Sequence, residues 1–205
     1  MLFDVLILGG GVAGVSCALV LGSAKNKPFA ADKHIAIIAH QKASSLQDAV
    51  FNNAYGIAPG TTGASLLKES TAQLNTLYPH VIQINGEKVC EIKGEFPHFT
   101  VLTNKNVYET MRIVVAVGYS NSISIVGLEK YVIPHQKAAP EKQRIQLKNE
   151  DHLVAPGLYV VGNLAGWRSQ LSIAAGSGAA VATDILTEWN EGKQSQSHDK
   201  VQKQF

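Results

Sequence analysis

The sequence is short of charge, of arginine and of cysteine. Charged residues make up 17% of the chain, and eighteen Lys plus Arg against sixteen Asp plus Glu leave a formal charge of +2. Arg112, Arg144 and Arg168 are the only arginines, so the dense basic face of a nucleic-acid reader is missing. The two cysteines, Cys17 and Cys90, lie far apart, which excludes a disulfide framework, a CxxC dithiol and a cysteine zinc site; no metal centre is expected. No run reaches the about 18 apolar residues of a membrane span. Residues 2–24 come nearest, but they carry Asp4, are interrupted by Gly9, Gly10, Gly11 and Gly14, and lack a basic leader segment. The expectation is a cytoplasmic protein with no membrane partner. What the chain does have is glycine, 18 of its 205 residues, and a 45% hydrophobic content. That is enough for one domain, at most two, with a core built around a ligand.

Residues 3–8 form an apolar run that reads as a buried parallel strand, and 12–24 follow with helical spacing and small side chains. After a polar connection, 34–39 read as a second buried strand, completing a βαβ unit with a right-handed crossover. Residues 41–62 read as a long loop of the kind that contacts ligands, and 63–77 as a helix. Short strands at 81–84, 87–93, 98–103 and 107–111, separated by Asn85-Gly86, Gly94 and 104–106, make a small antiparallel meander. Residues 112–117 return as a buried strand, 119–156 read as a surface crossing, 157–161 as the last strand and 170–189 as the last helix. The tail 191–205 has too little apolar content to fold by itself. The fold class is α/β: a three-layer, Rossmann-type domain over 1–190 with a parallel sheet and a small antiparallel β-meander.

Gly9-Gly10-Gly11-Val12-Ala13-Gly14 satisfies GxGxxG between a strand and a helix, the context that gives this pattern its meaning. Gly9 permits the tight turn, Gly11 lets a pyrophosphate approach the backbone, and Gly14 lets helix and strand pack closely. The N–H groups that open the helix at Val12 and Ala13 supply donors and partial positive charge. The acidic residue expected after the second strand, to hold the ribose hydroxyls, is replaced by Ala39-His40-Gln41. His40 is either a ribose contact or a solvated loop histidine. A second signal comes late: a buried strand ends in Gly162-Asn163, and the helix after it carries Gly176 and Gly178 in its interior. Each costs about 1 kcal/mol relative to Ala, so a close approach by a cofactor or by the first helix is expected there.

GGGVAG, the strand VVAVGY in place of an Ala-Thr-Gly strand, and GLYVVGN followed by QLSIAAGSGAA together resemble the FAD domain of thioredoxin reductase-like flavoproteins, over residues 3–186. The resemblance implies FAD as cofactor. It places the pyrophosphate at Gly9 to Gly14, the adenine against the main chain of Val89 and the flavin side near Asn53, with Ala116 and Gly118 among the cofactor-binding residues. Gly162-Asn163 stands where the family has Gly-Asp, with an amide oxygen in place of a charge. Gln170, Leu171 and Ser172 begin the helix whose N-terminus faces the flavin pyrimidine edge, where negative charge grows on reduction. In the family a nicotinamide-binding domain with the CxxC pair lies between the second and third motifs. Here 119–156 is shorter than the about 50 residues of a small domain, so that domain and its disulfide are expected to be absent.

The resulting expectation is a flavoprotein oxidoreductase built from the FAD domain only, taking electrons from diffusible NAD(P)H, a small organic donor or a partner protein. Its acceptor is a small-molecule substrate or redox protein, and homodimerisation covers surface bared by the missing domain. A FAD-binding sensor or partner subunit without turnover is the alternative, and an NAD(P)-dependent dehydrogenase is a third reading that leaves the late motif unused. Cys17 and Cys90 read as small buried hydrophobes. Trp167 and Tyr119 either shield the flavin or pack, Arg168 either pairs with an anion or is solvated, and His135 and His152 have no catalytic spacing.

Overall fold

The computed structural model, described for residues 1–40, 44, 46–118 and 121–198, divides the first apolar run in two. Strand β1 is Leu2–Phe3 and β2 is Val5–Leu8. The expected single strand breaks at Asp4, whose carboxylate accepts the His34 N–H at 2.9 Å. A carboxylate has no place inside a sheet buried on both faces, so the chain turns there and β1 joins a different sheet.

Then follow α1 (Val12–Ser23), β3 (Ile35–Ala39), β4 (Val50–Phe51), β5 (Thr61–Thr62), α2 (Gly63–Leu77) and β6 (Ile82–Asn85). The meander strands are β7 (Val89–Glu95), β8 (His98–Thr103) and β9 (Val107–Thr110), followed by β10 (Ile113–Val115). The last elements are β11 (Val132–Pro134), β12 (Ile145–Leu147), β13 (Leu153–Ala155), β14 (Leu158–Val160) and α3 (Leu171–Trp189).

The central sheet has the order β13-β14-β10-β2-β3-β6, parallel except for the edge strand β13. Strand alternation sorts its side chains into two cores. Val5, Ile7, Ile35, Ile37 and Val114 face α1 and α3, packing on Val15, Ala18, Leu21, Val181 and Ile185. Leu6, Leu8, Ala36, Ile38, Ile113 and Val115 face the second sheet, β1-β9-β8-β7, through Val89, Ile92, Phe99 and Val101. Both faces are covered, which is why these strands read as unbroken apolar runs. The three layers are therefore helices, parallel sheet and meander. Glu87, almost wholly buried, ties the meander's loop down by accepting from Thr103, Asn106 and Tyr108 at 2.6, 2.7 and 3.0 Å.

Five further expectations are corrected. The strand expected at 81–84 in the meander is β6, which pairs parallel with β3 at the edge of the central sheet, because the crossover through α2 returns the chain in the same direction. The loop 41–62 contains the β4–β5 hairpin. The crossing 119–156 is not only a surface passage: β11 and β12 pair antiparallel within it, and β13 extends the central sheet. Gly94 lies inside β7 rather than at its end. The tail folds back at its start, because Ser195 is buried, donating its N–H to Thr187 Oγ1 at 3.1 Å and accepting from Asn190 at 2.9 Å. Side-chain hydroxyls and amides at the end of α3 supply there what the apolar content lacks.

At the opposite end of the sheet from the glycine turn, buried Arg112 binds Glu188 of α3 through two hydrogen bonds of 2.9 and 2.6 Å, and Tyr159 donates to the same carboxylate at 3.3 Å. This pair fastens α3 to the strand layer far from the site.

Candidate functional site

Strands β2, β3, β10 and β14 all end at the same edge of the sheet, and the expected site residues gather there because parallel strands must. The last rungs bring the four ends into contact. Gly9 N–H donates to Ile38 at 2.9 Å, Ala116 N–H to Leu8 at 2.8 Å, and Val161 N–H to Val115 at 3.0 Å. The edge thus carries the Gly9–Gly14 turn, Ala39 and His40, Ala116 and Gly118, and Gly162 with Asn163. The chain reverses direction around β2, with β3 on one side and β10 on the other, the switch point where such sheets bind ligands.

The motif glycines have different reasons. A Cβ on Gly14 would run into the Gly9 carbonyl oxygen, and one on Gly9 into the Ala116 carbonyl. These two are required by the chain's own packing. A Cβ on Gly11 meets nothing within 4 Å, and its backbone, at φ −81° and ψ −175°, is one that any residue adopts. Among the described residues nothing requires glycine at that position, and the space beside it is open. In α3 the same contrast holds: a Cβ on Gly178 would strike the Ala13 carbonyl, while Gly176 faces open space. Gly178 thus serves the first helix, and Ser16 adds a bond to the Ala175 carbonyl at 2.8 Å.

The electrostatics of the edge come from two helix ends. Gly11 caps α1 and Gln170 caps α3, in both cases without a side-chain hydrogen bond or an acidic residue in the first turn. The first helical bonds are Val15 N–H to Gly11 and Ala174 N–H to Gln170, both 2.9 Å, so the N–H groups before them have no helical acceptor. By contrast, α2 is capped by Thr62, which accepts from Ser65 N–H. The two helices that begin at the site therefore present bare donors and positive dipole ends.

After β14 the chain makes a 3-10 turn, Gly162–Ala165. Ser177, a residue with no sequence signal beyond its place in α3, is buried and accepts Gly162 N–H at 2.8 Å. It fixes the turn to the helix and with it Asn163, whose side-chain amide makes no hydrogen bond among the described residues. Leu171 is half-buried and Ser172 exposed at the start of α3.

The remaining expected residues differ in exposure and position. Val89 is buried against Ala36 and Ile38, so only its main chain is available. Asn53 is exposed in the loop between β4 and β5, with no hydrogen bond to the strand-end group. His40 is exposed next to β3, and Gln41 and Tyr119 lie outside the described residues. Cys17 is wholly buried in α1, where burial pushes its thiol far above the ordinary range. Cys90 is half-buried in the meander, on the other face of the sheet, with Sγ 3.5 Å from the Lys88 carbonyl. It is less buried than expected, because β7 is an edge strand of the meander sheet.

His152 and Trp167 form a unit that spacing does not show. Asp151 and His152 are the two left-handed residues, at φ 45° and 75°, of a tight hairpin turn closed by bonds of 2.9 and 2.8 Å between Glu150 and Leu153. The buried His152 ring places Nδ1 2.9 Å from the Val160 carbonyl and stacks on Trp167 with centroids 6.0 Å apart. Among the described residues no group of three or more His, Cys, Asp or Glu is placed to hold a metal ion. No helix among them is long and apolar enough to cross a membrane.

Residues 3–177 match the family model described as pyridine nucleotide-disulphide oxidoreductase. No match was found among curated proteins. Among solved structures, the fold is similar to that of an oxidoreductase from Agrobacterium tumefaciens, at 15% identity and TM-score 0.70, covering 92% of this chain and 98% of that one. It is similar to a thioredoxin reductase from Gloeobacter violaceus at 16% identity and TM-score 0.69, over 98% and 99% of the two chains. A ferredoxin-flavin thioredoxin reductase from Clostridium acetobutylicum follows at 15% identity and TM-score 0.64, over 93% and 99%. At these identities the likeness is one of fold.

Proposed function

The chain belongs to the pyridine nucleotide-disulphide oxidoreductase family, and on that premise we propose that it is a FAD-dependent oxidoreductase whose FAD domain carries the short stretch 119–156 in place of an inserted nicotinamide-binding domain with its CxxC pair. The observation that carries this reading is the empty space at Gly11 between two uncapped helix N-termini on one sheet edge.

The residues fit the group. The N–H groups of Val12, Ala13 and Gly14 would hold the pyrophosphate in the space that Gly11 leaves. The Asn163 amide, which can both donate and accept, would hold the ribityl side. The Leu171 and Ser172 N–H groups, with the positive end of α3, favour negative charge on the flavin edge. His40 is within the same edge and serves the adenosine ribose; Ala116 and Gly118 let the flavin lie close to the main chain. When bound, FAD supplies the electron-carrying ring, and the protein's task is orientation and electrostatic tuning. No thiol takes part: Cys17 is sealed in the helix layer and Cys90 lies across the sheet.

The donor is diffusible NAD(P)H, a small organic reductant or a redox protein, and two unpaired cysteines fit a cytoplasmic setting. Exposed Val117 and Trp167 at the strand ends favour a homodimer; a strictly monomeric species in light scattering would refute that part. The purified protein should show a flavin spectrum, or acquire one on adding FAD, whereas a colourless protein that refuses FAD refutes the whole reading. No carboxylate or thiol lies among the described strand-end residues, where His40 is the one titratable side chain, and this favours a second reading, a FAD-binding subunit without turnover. Rapid mixing with NADH and NADPH separates them, since bleaching of the flavin indicates an enzyme.

A further inference from the structure

A cleft of about 250 Å3 opens between the turn after β14, strand β12 and the hairpin turn at 150–153, with Ala165, Trp167, Gln146 and His152 in its walls. Two of these are polar side chains more than nine-tenths buried: Gln146 is 5% exposed and His152 4%. Each is fastened to the main chain by one polar atom and leaves the other free. Gln146 Oε1 accepts the Gln136 N–H at 2.9 Å, so its side-chain NH2 remains, without an acceptor among the described residues. His152 Nδ1 lies 2.9 Å from the Val160 carbonyl. A carbonyl only accepts, so Nδ1 carries the proton, and Nε2 of the neutral ring is a lone-pair acceptor with no donor among the described residues. The side-chain atoms both sealed and unpaired among those residues are His80 Nε2 and Trp189 Nε1, so the free nitrogens of Gln146 and His152 reach the cleft they line. Asn149 on the same wall is fully used, donating to the Leu147 and Ala165 carbonyls at 2.7 and 3.2 Å and accepting His152 N–H at 3.1 Å.

Both free groups are held in place. The Gln146 amide lies against Gly166, where at φ 88° a Cβ would come within 2.9 Å of its carbon, oxygen and nitrogen. His152 is fixed by the bond to Val160 and by its stack on Trp167. Groups fixed in advance lose little freedom when they bind. A buried donor and a buried acceptor left unfilled cost free energy, and a ligand that answers both recovers it. The charged side chains in the lining, Lys137 and Asp151, are of opposite sign, so the cleft does not select an ion. A carboxamide or lactam is neutral and planar, and carries a carbonyl and an N–H on neighbouring atoms.

We infer that this cleft is a binding site for a small, neutral, planar amide, whose carbonyl accepts from the Gln146 NH2 and whose N–H donates to His152 Nε2, with Trp167 as its aromatic wall. The volume is below the about 300 Å3 at which pockets begin to enclose drug-sized ligands, so the occupant is a single amide-bearing ring and not a nucleotide. None of the residues assigned to FAD lines the cleft, and the inference stands apart from that reading.

The test titrates the full chain with benzamide and follows 1H–15N NMR spectra. Benzamide should bind saturably and shift the Gln146 side-chain NH2 together with the main-chain signals of Gly166 and Trp167. Methyl benzoate keeps the ring and the carbonyl but has no N–H, and should bind at least about tenfold more weakly, the effect of leaving one buried acceptor unfilled. Gln146→Glu keeps the oxygen that accepts from Gln136 and replaces the free donor by an acceptor. His152→Asn keeps an N–H for Val160, tolerates the left-handed backbone and removes Nε2. Each should weaken benzamide by a similar factor, with the rest of the spectrum unchanged. No saturable shift up to the solubility of benzamide, which would mean a cleft filled by water only, overturns the inference. So does equal affinity for methyl benzoate, a comparison made on the unaltered protein that decides the matter even where a variant fails to fold. Unchanged affinity in a folded Gln146→Glu or His152→Asn variant overturns it as well. All of these outcomes leave the FAD reading as it stands, since flavin uptake is read separately by absorbance.

Discussion

Replacing Gly11 by Val puts a branched side chain where a Cβ has nothing within 4 Å. The backbone at φ −81° and ψ −175° accepts it, so the unliganded fold bears only the poorer N-cap, about 1 kcal/mol, or a Tm fall of about 2–4 °C in a chain of this size. FAD should suffer far more. The side chain occupies the phosphate position and separates it from the α1 donors; losing two charge-assisted hydrogen bonds at about 1.5–3 kcal/mol each weakens binding by about 10²–10⁴-fold. Gly14→Ala reverses the pattern. Its single methyl collides with the Gly9 carbonyl, and relieving it means moving α1 off the strand end, at the upper end of about 1–3 kcal/mol for overpacking. The Tm of unliganded Gly14→Ala should then fall by about 6–12 °C. Thermal melting by circular dichroism, with and without FAD, and flavin fluorescence titration read both quantities. Gly11→Val binding FAD as tightly as the unaltered protein, or Gly14→Ala melting at the unaltered Tm, refutes the division of roles.

Asn163→Asp should keep or tighten FAD binding, because a carboxylate accepts the same hydrogen bonds; marked weakening would mean that the amide's N–H is the group in use. Glu188→Ala leaves Arg112 buried and unpaired, a loss of about 3–5 kcal/mol for a fully buried pair and nearer 2 here, since Glu188 is partly in water; chemical denaturation measures it. The Arg112 hydrogen bonds, against the opposing effect of burial, hold the Glu188 carboxyl below its usual 4.5. Its contribution is therefore complete above that value and fades as pH falls through the lower folded value. Glu188→Gln should flatten this part of the acid limb of a stability profile, and an unchanged limb would contradict the assignment. In the native protein a thiol reagent should modify Cys90 and spare Cys17 until unfolding; mass spectrometry finding label on native Cys17 would show the α1–α3 layer to be open.

Much of the site is legible from local pattern. GGGVAG declares itself because each glycine sits at a fixed offset from a strand end and a helix start. The late strand and helix bracket Gly162-Asn163 in the same way. The elements most at odds with that reading are those made by a pairing that local apolar pattern does not announce. β1 leaves the expected first strand because Asp4 meets His34 and because β9 offers an edge. The stretch 119–156 acquires strands only because β11 finds β12 and β13 finds β14. Ser195 is held by hydrogen bonds to Thr187, Asn190 and Lys193 at the end of α3, polar contacts that apolar content does not reveal.

The amino-acid order alone determined the α/β class, the glycine turn and the helix boundaries to within about a residue, since these depend on periodicity and on backbone freedom within a few residues. Only the tertiary structure decided which glycines are held by the protein's own packing, Gly9, Gly14 and Gly178, and which face open space, Gly11 and Gly176. It alone placed Ser177 against the Gly162 N–H, which fixes the turn that carries Asn163. Steric contact and hydrogen bonding act through space, and the distances that set them exist only once the chain has closed on itself.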